Sequence, residues 1–588
     1  MELRQFFRSV DLWVANSRVG SYFRLGDSVN PDKIDSASFC REIRAGLTTF
    51  ATMAYIISVN ASILSSTGGP CVCDLEDKQT CDGIPEFKSC KEDVRRELIT
   101  ATAAIAGLSS LVFGILTNLP VALAPGMGLN AYFAFQVVGV NGGGKIPYQT
   151  ALTAVFIEGI IFVVLALSGM RQWLVKLIPS TLKVATGVGI GFFLTEIGLS
   201  YSVGIGVITG GGPATPLALG GCPSELLNEK GMCASGQMTS PKMWLGIFCG
   251  GIVTAFLMAY RIKYSLVIGI ALVSVISWPH QKLTLLEISR NTTVTYFPDN
   301  EVGNLRFDFF KQIVAWHPMD KTLNKLDWTF SRGGSQFALA LFTFLYVDII
   351  DATATLYSMV RFCGIDDRKD GDFRRSTLAY CTDAFFISIG ALFGSSPITA
   401  FIESGAGIAE GGRTGITAIV SGLCFLVSIF FAPIFASLPP WATGCTLIMV
   451  GCMMIRQITQ VNWYYIGDVL PSFVVMALIP FTYSVAYGLI AGIFVYTILN
   501  GLVGIVVYVS GGRIEPREYD LKEYWTWKGV GRPPWFVRVL KHRCRDQNED
   551  RDTASGGNGT DDMDGSSSMT RVQPVSNDDY SANAEAKL

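Results

Sequence analysis

The chain has 588 residues, of which 50% are hydrophobic and only 16% are charged. An ordinary soluble domain carries about 25% charged residues, so this composition is typical of a polytopic membrane protein. The formal net charge of −2 gives no sign of nucleic-acid binding.

Residues 1–40 are polar and basic and contain no continuous apolar run, so a cytoplasmic N-terminal segment without a signal peptide is expected. From about residue 41 to about residue 510, apolar stretches of roughly 17–25 residues predict about fourteen membrane spans. These spans are expected to begin near Leu47, Leu98, Leu119, Tyr148, Thr181, Met243, Ser265, Gln336, Ser376, Ser395, Thr414, Trp441, Leu470 and Tyr487. The third and tenth are short and broken by Gly and Pro, but the loop charges alternate only if both are counted. The predicted fold class is therefore an all-α polytopic membrane protein.

Basic residues cluster in alternate loops, and this pattern sets the predicted orientation. The clusters lie before span 1 (Arg18, Arg24, Arg41, Arg44) and after spans 4 (Arg171, Lys176), 6 (Arg261, Lys263) and 8 (Arg361, Arg368, Lys369, Arg374, Arg375). With fourteen spans all of them fall on one side, which is predicted to be the cytoplasm, together with both termini. The tail, 511–588, is expected to be cytoplasmic, and its polar composition predicts disorder from about residue 547.

The loops on the opposite side have the chemistry of an oxidising, extracellular space. The loop between spans 1 and 2 contains Cys71, Cys73, Cys81 and Cys90, and the loop between spans 5 and 6 contains Cys222 and Cys233. These six cysteines are expected to form disulfides, although unpaired thiols remain an alternative and the sequence does not fix the pairing. The loop at about 281–333 carries a glycosylation sequon at Asn291. A second sequon, at Asn558, lies in the cytoplasmic tail and should stay unmodified.

Two broken apolar segments, about 270 residues apart, share one design. Residues 124–131 read Ala-Pro-Gly-Met-Gly-Leu-Asn-Ala, and residues 395–404 read Ser-Ser-Pro-Ile-Thr-Ala-Phe-Ile-Glu-Ser. Similar Thr-x-(Leu/Ile)-Thr-Ala stretches follow at 150–154 and 414–418. Pro and Gly are common in membrane helices, but matched breaks in two halves of a chain are typical of the binding site of a secondary transporter.

All ionisable groups within the predicted spans are acids, and such groups are costly in a membrane unless they serve a function. They are Glu158, Glu196, Asp348, Asp351, Asp383 and Glu403, whereas His280, His317 and His542 lie outside the spans or at their ends. A proton that crosses the membrane domain is therefore expected to bind a carboxylate. Asp348 and Asp351 are three residues apart and so share a helix face. One of two adjacent buried acids should hold its proton near neutral pH, although a structural hydrogen-bonded pair is the alternative.

Glu403 lies at the second break, where freed backbone groups must face a cavity or other protein. Its carboxylate can accept two hydrogen bonds, which suits the N–H edge of a heterocyclic base, and Asn130 can both donate and accept. Gly128 would let a base approach the backbone, and Phe401, Phe133 and Phe135 are candidates for stacking. Glu158, Glu196 and Asp383 are equally well interpreted as hydrogen-bond partners between helices.

At these motifs the chain resembles the AzgA-type purine transporters of fungi and plants, relatives of the nucleobase–ascorbate transporters. The resemblance rests on residues 124–133, the Asp348–Asp351 stretch, 396–399, 401–404 and 410–415, and it extends from about residue 41 to residue 512. It implies a uracil-permease-like fold of two inverted sets of seven spans, with repeat 1 at about 41–280 and repeat 2 at about 334–510. Short extended strands in spans 3 and 10 are implied to meet near the midplane, between a core domain (spans 1–4 and 8–11) and a gate domain (spans 5–7 and 12–14).

The resemblance also implies a function and a set of roles. The family takes up hypoxanthine, adenine and guanine with protons at the plasma membrane. By motif position Gly128, Asn130, Asp351 and Glu403 correspond to substrate-binding positions, and Asp348 to a position needed for transport, which we interpret as proton coupling. Phe401 is a candidate for stacking, no metal or other cofactor is expected, and the oligomeric state, with a homodimer as one alternative, is left open.

Several other functions are compatible with parts of the sequence. A sulfate-type anion permease of the same fold would place its substrate beside the acid Glu403, which argues against it, and a carrier of xanthine or urate remains an alternative. An intramembrane aspartyl protease is disfavoured because the chain lacks a Gly-x-Gly-Asp motif. A channel or receptor is harder to exclude from sequence, so a transporter rather than an enzyme is the prediction.

Overall fold

The apolar stretches form helices at the predicted places in this computed structural model. It describes residues 2–25, 37–73, 81, 84–171, 179–201, 204–210, 217–222, 233, 238–260, 262, 264–280, 294–299, 301–328, 334–364, 373, 375–511, 514–516 and 519, all within a compact unit that comprises Met1–Pro534. Several sequence predictions fall outside these residues: both sequons, the tail from residue 547, and the basic loop residues Lys176, Arg261, Lys263, Arg368, Lys369 and Arg374.

Among the described residues, nine helical segments are long and apolar enough to cross a membrane, and three more are shorter apolar helices. In the first half the spans are Phe39–Ser65, Pro85–Thr117, the broken third span (Leu123–Pro125, Met127–Ala131 and Tyr132–Val137), Tyr148–Ser168, Ser180–Leu199, Pro241–Ala259 and Ser265–Ser277. In the second half they are Gly334–Cys363, Ser376–Leu392, the broken tenth span (Ile398–Ala400 and Ser404–Ala409), Gly415–Ala436, Pro440–Gln460, Ile466–Thr482 and Val485–Val509. The two broken segments complete the fourteen, so the predicted all-α polytopic fold is confirmed.

The packing of the spans follows the inverted repeat, in which span n of the first half corresponds to span n + 7 of the second. Span 2 packs against span 11, and their counterparts, spans 9 and 4, pack together. The contact between spans 1 and 11 likewise recurs between spans 8 and 4. The contact between spans 5 and 13 recurs between spans 12 and 6. Spans 5 and 12, which are each other's counterparts, also pack together. Each of these contacts thus recurs with the two halves exchanged.

Small residues allow the closest of these contacts. A Cβ atom on Gly114 would lie 2.5 Å from the Gly415 carbonyl oxygen, and one on Gly422 would lie 2.7 Å from that of Gly107. Spans 2 and 11 therefore touch backbone to backbone at two levels. Close approach of this kind drives helix association in membranes, where the hydrophobic effect is weak.

The two broken spans meet as a short antiparallel pair of strands. Strand β1 (Leu123–Pro125) lies in span 3, β2 (Ile208–Gly210) and β3 (Leu217–Leu219) form a separate hairpin in the loop after span 5, and β4 (Ile398–Ala400) lies in span 10. The β1–β4 register pairs Leu123 with Ala400 and Pro125 with Ile398. Ala124, the residue before Pro125, is extended in β1, since a following proline disfavours helical backbone.

Side chains satisfy backbone groups that the strand pair leaves open. The Ser404 hydroxyl accepts a hydrogen bond from the Ala122 N–H at 3.0 Å, and the Ser110 hydroxyl accepts one from the Leu123 N–H at 2.9 Å. Non-helical backbone is tolerated at membrane depth only with such partners. The predicted strands in spans 3 and 10 are thus confirmed.

The six cysteines of the predicted outward loops form three disulfides, Cys71–Cys90, Cys73–Cys81 and Cys222–Cys233. Their Cα atoms lie 6.1, 6.1 and 5.7 Å apart, distances that a disulfide spans without backbone movement. The structure therefore supplies the pairing that the sequence left open.

Candidate functional site

A cavity of about 650 Å³ lies between the broken spans and spans 5, 8 and 12. Its walls are Gly126–Leu129 of span 3, Ile190 and Leu194 of span 5, Val347, Asp351 and Thr355 of span 8, residues 399–403 of span 10, and Val450, Met454 and Gln457 of span 12. We call this the central cavity. Both halves of the repeat contribute to it, which is the arrangement that matched breaks predict.

Four of the predicted site residues line the central cavity: Gly128, Asp351, Phe401 and Glu403. They come from spans 3, 8 and 10, and the strand pair holds two of these spans together. Asn130 and Asp348, by contrast, are fully buried and are not among the lining residues. The roles assigned to individual residues remain predictions, but the cavity brings most of them to one place.

Glu403 precedes the first turn of the half-helix Ser404–Ala409, so its carboxyl group lies where the chain passes from strand to helix. The Tyr55 hydroxyl donates a hydrogen bond to Glu403 Oε1 at 2.9 Å. Tyr55 lies at the kink between the two helices of span 1 and is only 2% exposed. Tyr55 therefore orients the carboxylate through Oε1 and leaves Oε2 available to a ligand in the cavity.

Asp351 forms the second acidic wall of the central cavity. Thr355, one helical turn further along span 8, lines the cavity on the same helix face. Asp351 also interacts electrostatically with Glu403. The central cavity thus presents two carboxyl groups, and none of its described lining residues is Lys, Arg or His.

The rest of the lining is mostly apolar. Phe401 is 6% exposed and adjoins Glu403 in sequence, so its ring can cover the face of a planar ligand. Phe133 is fully buried among Tyr148 and Phe344 instead, and Phe135 is not among the lining residues. Of the three stacking candidates, the structure brings only Phe401 to the central cavity.

Gly128 is required by the packing of span 3 on span 5 as well as by the cavity. A Cβ atom at this position would lie 2.8 Å from Cγ2 of Ile190. Any larger residue would push spans 3 and 5 apart or fill the space beside Phe401. The glycine thus serves the contact between spans 3 and 5 in addition to the close approach of a ligand.

Asn130 lies in the half-helix Met127–Ala131, next to the cavity wall. Neither its Oδ1 nor its Nδ2 atom has a hydrogen-bond partner among the described residues. A buried amide without partners is costly, typically by about 1–3 kcal/mol per group. Asn130 is therefore available to a polar group that reaches it, although it does not form part of the cavity wall.

A second group of acids lies away from the central cavity and consists of Glu158, Asp348 and Asp383, from spans 4, 8 and 9. We call it the buried acid cluster. Asp348 interacts electrostatically with the other two and with Asp351. All three are 0% exposed, and no carboxyl oxygen among them has a hydrogen-bond partner in the described part of the chain. In the described part of the chain, Glu158 and Asp383 therefore do not form the inter-helix hydrogen bonds that were one interpretation of these acids.

Three buried carboxyl groups without a described hydrogen-bond partner would repel one another if all were ionised. Among the described residues, no group of His, Cys, Asp and Glu is arranged to hold a metal ion. The third unassigned acid, Glu196, instead interacts electrostatically with Tyr483.

A narrow cleft lies further along spans 3 and 8, beyond the end of the half-helix. Two hydrogen bonds close its rim. Lys145 Nζ donates to the Tyr487 hydroxyl at 2.9 Å, and Gln136 Nε2 donates to the Thr482 carbonyl at 2.8 Å. Both bonds join the end of span 3 or its loop to the junction of spans 13 and 14. We call these two bonds the rim contacts.

The sequence did not reveal Tyr55 or Gln457 as neighbours of the site. Tyr55 lies in an apolar helical stretch without Pro or Gly, so no breaker marks it. Gln457 comes from span 12, where nothing in the sequence signals a polar cavity wall. Only the tertiary packing brings these residues to the central cavity.

Comparison with known proteins identifies the family. The family model Xan_ur_permease, described as Permease family, matches residues 85–491. The chain is 54% identical over 532 residues to "Efflux pump notK'" of Aspergillus versicolor, covering 90% of each protein. It is 50% identical to a Schizosaccharomyces pombe protein provisionally named a xanthine/uracil permease, over 92% of this chain and 85% of that protein. It is 32% identical to the guanine/hypoxanthine permease PbuO of Bacillus subtilis, over 80% of this chain and 94% of that protein.

The family match covers both broken spans and the central cavity, and the fold that surrounds them is that of a transporter. The chain is therefore a multi-pass membrane transporter rather than an enzyme, and it belongs to the Xan_ur_permease family.

Proposed function

We propose that the protein imports purine nucleobases, with hypoxanthine, adenine and guanine as substrates, together with protons across the plasma membrane. The observation that carries this proposal is the wall formed by Glu403 and Asp351 in a cavity whose other lining residues are mostly apolar. A purine presents N–H donors along one edge and a flat apolar face. Carboxylates accept from the edge, and Phe401 covers the face.

The relatives support a nucleobase as the substrate. PbuO is named a guanine/hypoxanthine permease, and the S. pombe protein is provisionally named a xanthine/uracil permease. The second name keeps another nucleobase, xanthine or urate, as an alternative. The anion-permease alternative is weakened, since a sulfate-like ion would meet two acids and no cationic side chain among the described lining residues.

The buried acid cluster supports coupling to protons. Asp348 lies one helical turn from Asp351, so the cluster and the central cavity adjoin on one helix. A proton held at Asp348 would change the field at Asp351, and binding of base and proton would then favour each other. Asp348 therefore remains our candidate for the coupling residue.

The direction of transport needs a separate argument, because one relative is named an efflux pump. A secondary carrier works in both directions, and the gradients decide the net flux. The plasma membrane of a fungus or plant maintains an inward proton gradient, so a proton-coupled carrier there accumulates its substrate inside the cell.

The proposal is tested by uptake of labelled hypoxanthine into cells that express the chain but lack their own nucleobase uptake. We expect concentrative uptake that increases at acidic external pH, collapses with a protonophore, and is inhibited by adenine and guanine more strongly than by uracil or sulfate. Inhibition mainly by xanthine, urate or uracil would indicate that the substrate is one of these other bases. Inhibition by sulfate alone, or accumulation that ignores the proton gradient, would contradict the proposal.

A further inference from the structure

Two short helices precede the first span, α1 (Glu2–Ala15) and α2 (Arg18–Phe23). One side of this pair is fixed to the membrane domain. Val14, Phe23 and Leu25 are buried in a small apolar cluster with Ile416, at the start of span 11. The Asp11 carboxylate also accepts a hydrogen bond from the Cys40 N–H at 2.8 Å. The segment is therefore a docked part of the fold.

The other side of the pair presents large apolar groups. Leu12 is 47%, Trp13 76%, Val19 51% and Tyr22 45% exposed. A single exposed apolar residue needs no explanation, but four of them within eleven residues of two short helices do. If this surface faced water, the large apolar side chain of Trp13 would be solvated.

The position of Tyr22 indicates what covers these groups. Its hydroxyl donates a hydrogen bond to the Ile115 carbonyl at 2.6 Å, in the last turn of span 2. The guanidinium of Arg375 lies over the Tyr22 ring and donates to the Leu116 carbonyl at 3.2 Å. The side chains of Ile115 and Leu116 are themselves 40% and 39% exposed on a membrane span, so they face lipid. The exposed surface of α2 is thus continuous with the lipid-facing surface of span 2.

Charge points to the kind of lipid. Residues 1–24 contain four arginines (Arg4, Arg8, Arg18, Arg24) and two acids (Glu2, Asp11). Arg18 is exposed between Trp13 and Val19, and Arg375 is exposed beside Tyr22. Tryptophan and tyrosine prefer the membrane interface, and basic residues beside them attract anionic headgroups.

We propose that the surface formed by Leu12, Trp13, Val19 and Tyr22, flanked by Arg18 and Arg375, binds the anionic face of the bilayer. The two helices then lie in the interface, and their buried side holds the ends of spans 1, 2 and 11 together. This inference depends on the membrane location of the spans and not on the substrate.

The test uses the full chain in lipid nanodiscs, with a nitroxide label on Leu12→Cys, on Val19→Cys, or on the control Ser21→Cys, whose native residue is exposed and polar and lies on a different face of α2 from Val19. Spectra of the labelled parent chain are subtracted to remove the signal of its own cysteines. With lipids that include phosphatidylserine, labels at 12 and 19 should be more accessible to oxygen than to a water-soluble nickel chelate. The label at 21 should show the opposite order.

Neutral phosphatidylcholine alone, or Arg18→Gln in the anionic discs, should shift labels 12 and 19 measurably toward the aqueous reagent. Equal or greater access of the nickel chelate at both positions in anionic discs would overturn the proposal. So would protection from both reagents, because the surface would then be covered by protein, either a second chain or another segment of this one.

Discussion

Glu403 lines the central cavity and accepts a hydrogen bond from Tyr55. Glu403→Ala should abolish high-affinity uptake, since base donors left unpaired cost roughly 1–3 kcal/mol each, and more if a charge is involved. Glu403→Gln keeps the shape but exchanges an acceptor for a donor, so affinity should fall and the order of preferred bases should change. Competition assays on cells with equal surface expression measure both effects. Unchanged preference in Glu403→Gln would remove this residue from the site.

Tyr55 offers a milder change at the same carboxylate. Tyr55→Phe removes only the hydroxyl that orients Glu403, so we expect a loss of about 1–2 kcal/mol, a roughly five- to thirtyfold higher half-saturation concentration. The double variant with Glu403→Gln should lose less than the sum of the two single losses, because the residues act as a unit. Strict additivity would show that Tyr55 acts elsewhere.

Asp348 and Asp351 separate coupling from binding. Asp348→Asn is permanently neutral and lies behind the cavity wall, so it should still bind purine but no longer accumulate it against a gradient. Asp351→Asn alters the wall itself and should lose both binding and transport. Binding to purified variants and uptake at acidic and neutral external pH distinguish the two. If Asp348→Asn retains pH-dependent accumulation, the coupling role passes to another acid, with Glu158 and Asp383 of the buried acid cluster tested next as Gln and Asn variants.

The rim contacts join elements from different groups of spans, the end of span 3 with the junction of spans 13 and 14. Transport by alternating access requires such contacts to open and close. A Gln136→Cys, Thr482→Cys pair bridged by a short reducible thiol cross-linker should stop uptake, and reduction should restore it. Each single variant, treated in the same way, is the control. Full uptake by the bridged protein would show that this rim does not move.

The elements of this protein were readable from sequence because length and charge are direct physical requirements of a membrane. The start predicted at Tyr148 coincides with the observed helix, and the broken spans were marked by the matched Pro125 and Pro397. Side-chain neighbours were not readable in this way. Phe133 matched a stacking candidate in type and position, but it packs on Tyr148 and Phe344. The buried acid cluster likewise forms from three spans whose contacts only the fold determines.

The orientation of the whole molecule remains a prediction from loop charge and is directly testable. With both termini inside, a tag after Leu588 should be protected from protease in intact cells. A tag near Asn291, in the loop between spans 7 and 8, should be cleaved. Permeabilised cells, in which both tags must be cleaved, provide the control. The reverse pattern in intact cells would contradict the basic-loop argument and place both termini outside.

The pairing of β1 with β4 has a consequence for how the protein is made. Strand β1 is synthesised about 270 residues before its partner, so during translation its open edge lies at membrane depth without the hydrogen bonds that β4 later supplies. The first half should therefore depend on the insertion machinery or a membrane chaperone until span 10 emerges from the ribosome. Expressed alone, residues 1–285 should be degraded rapidly, whereas co-expression with residues 286–588 should protect both halves. The strand pair thus makes completion of the second repeat a condition for the survival of the first.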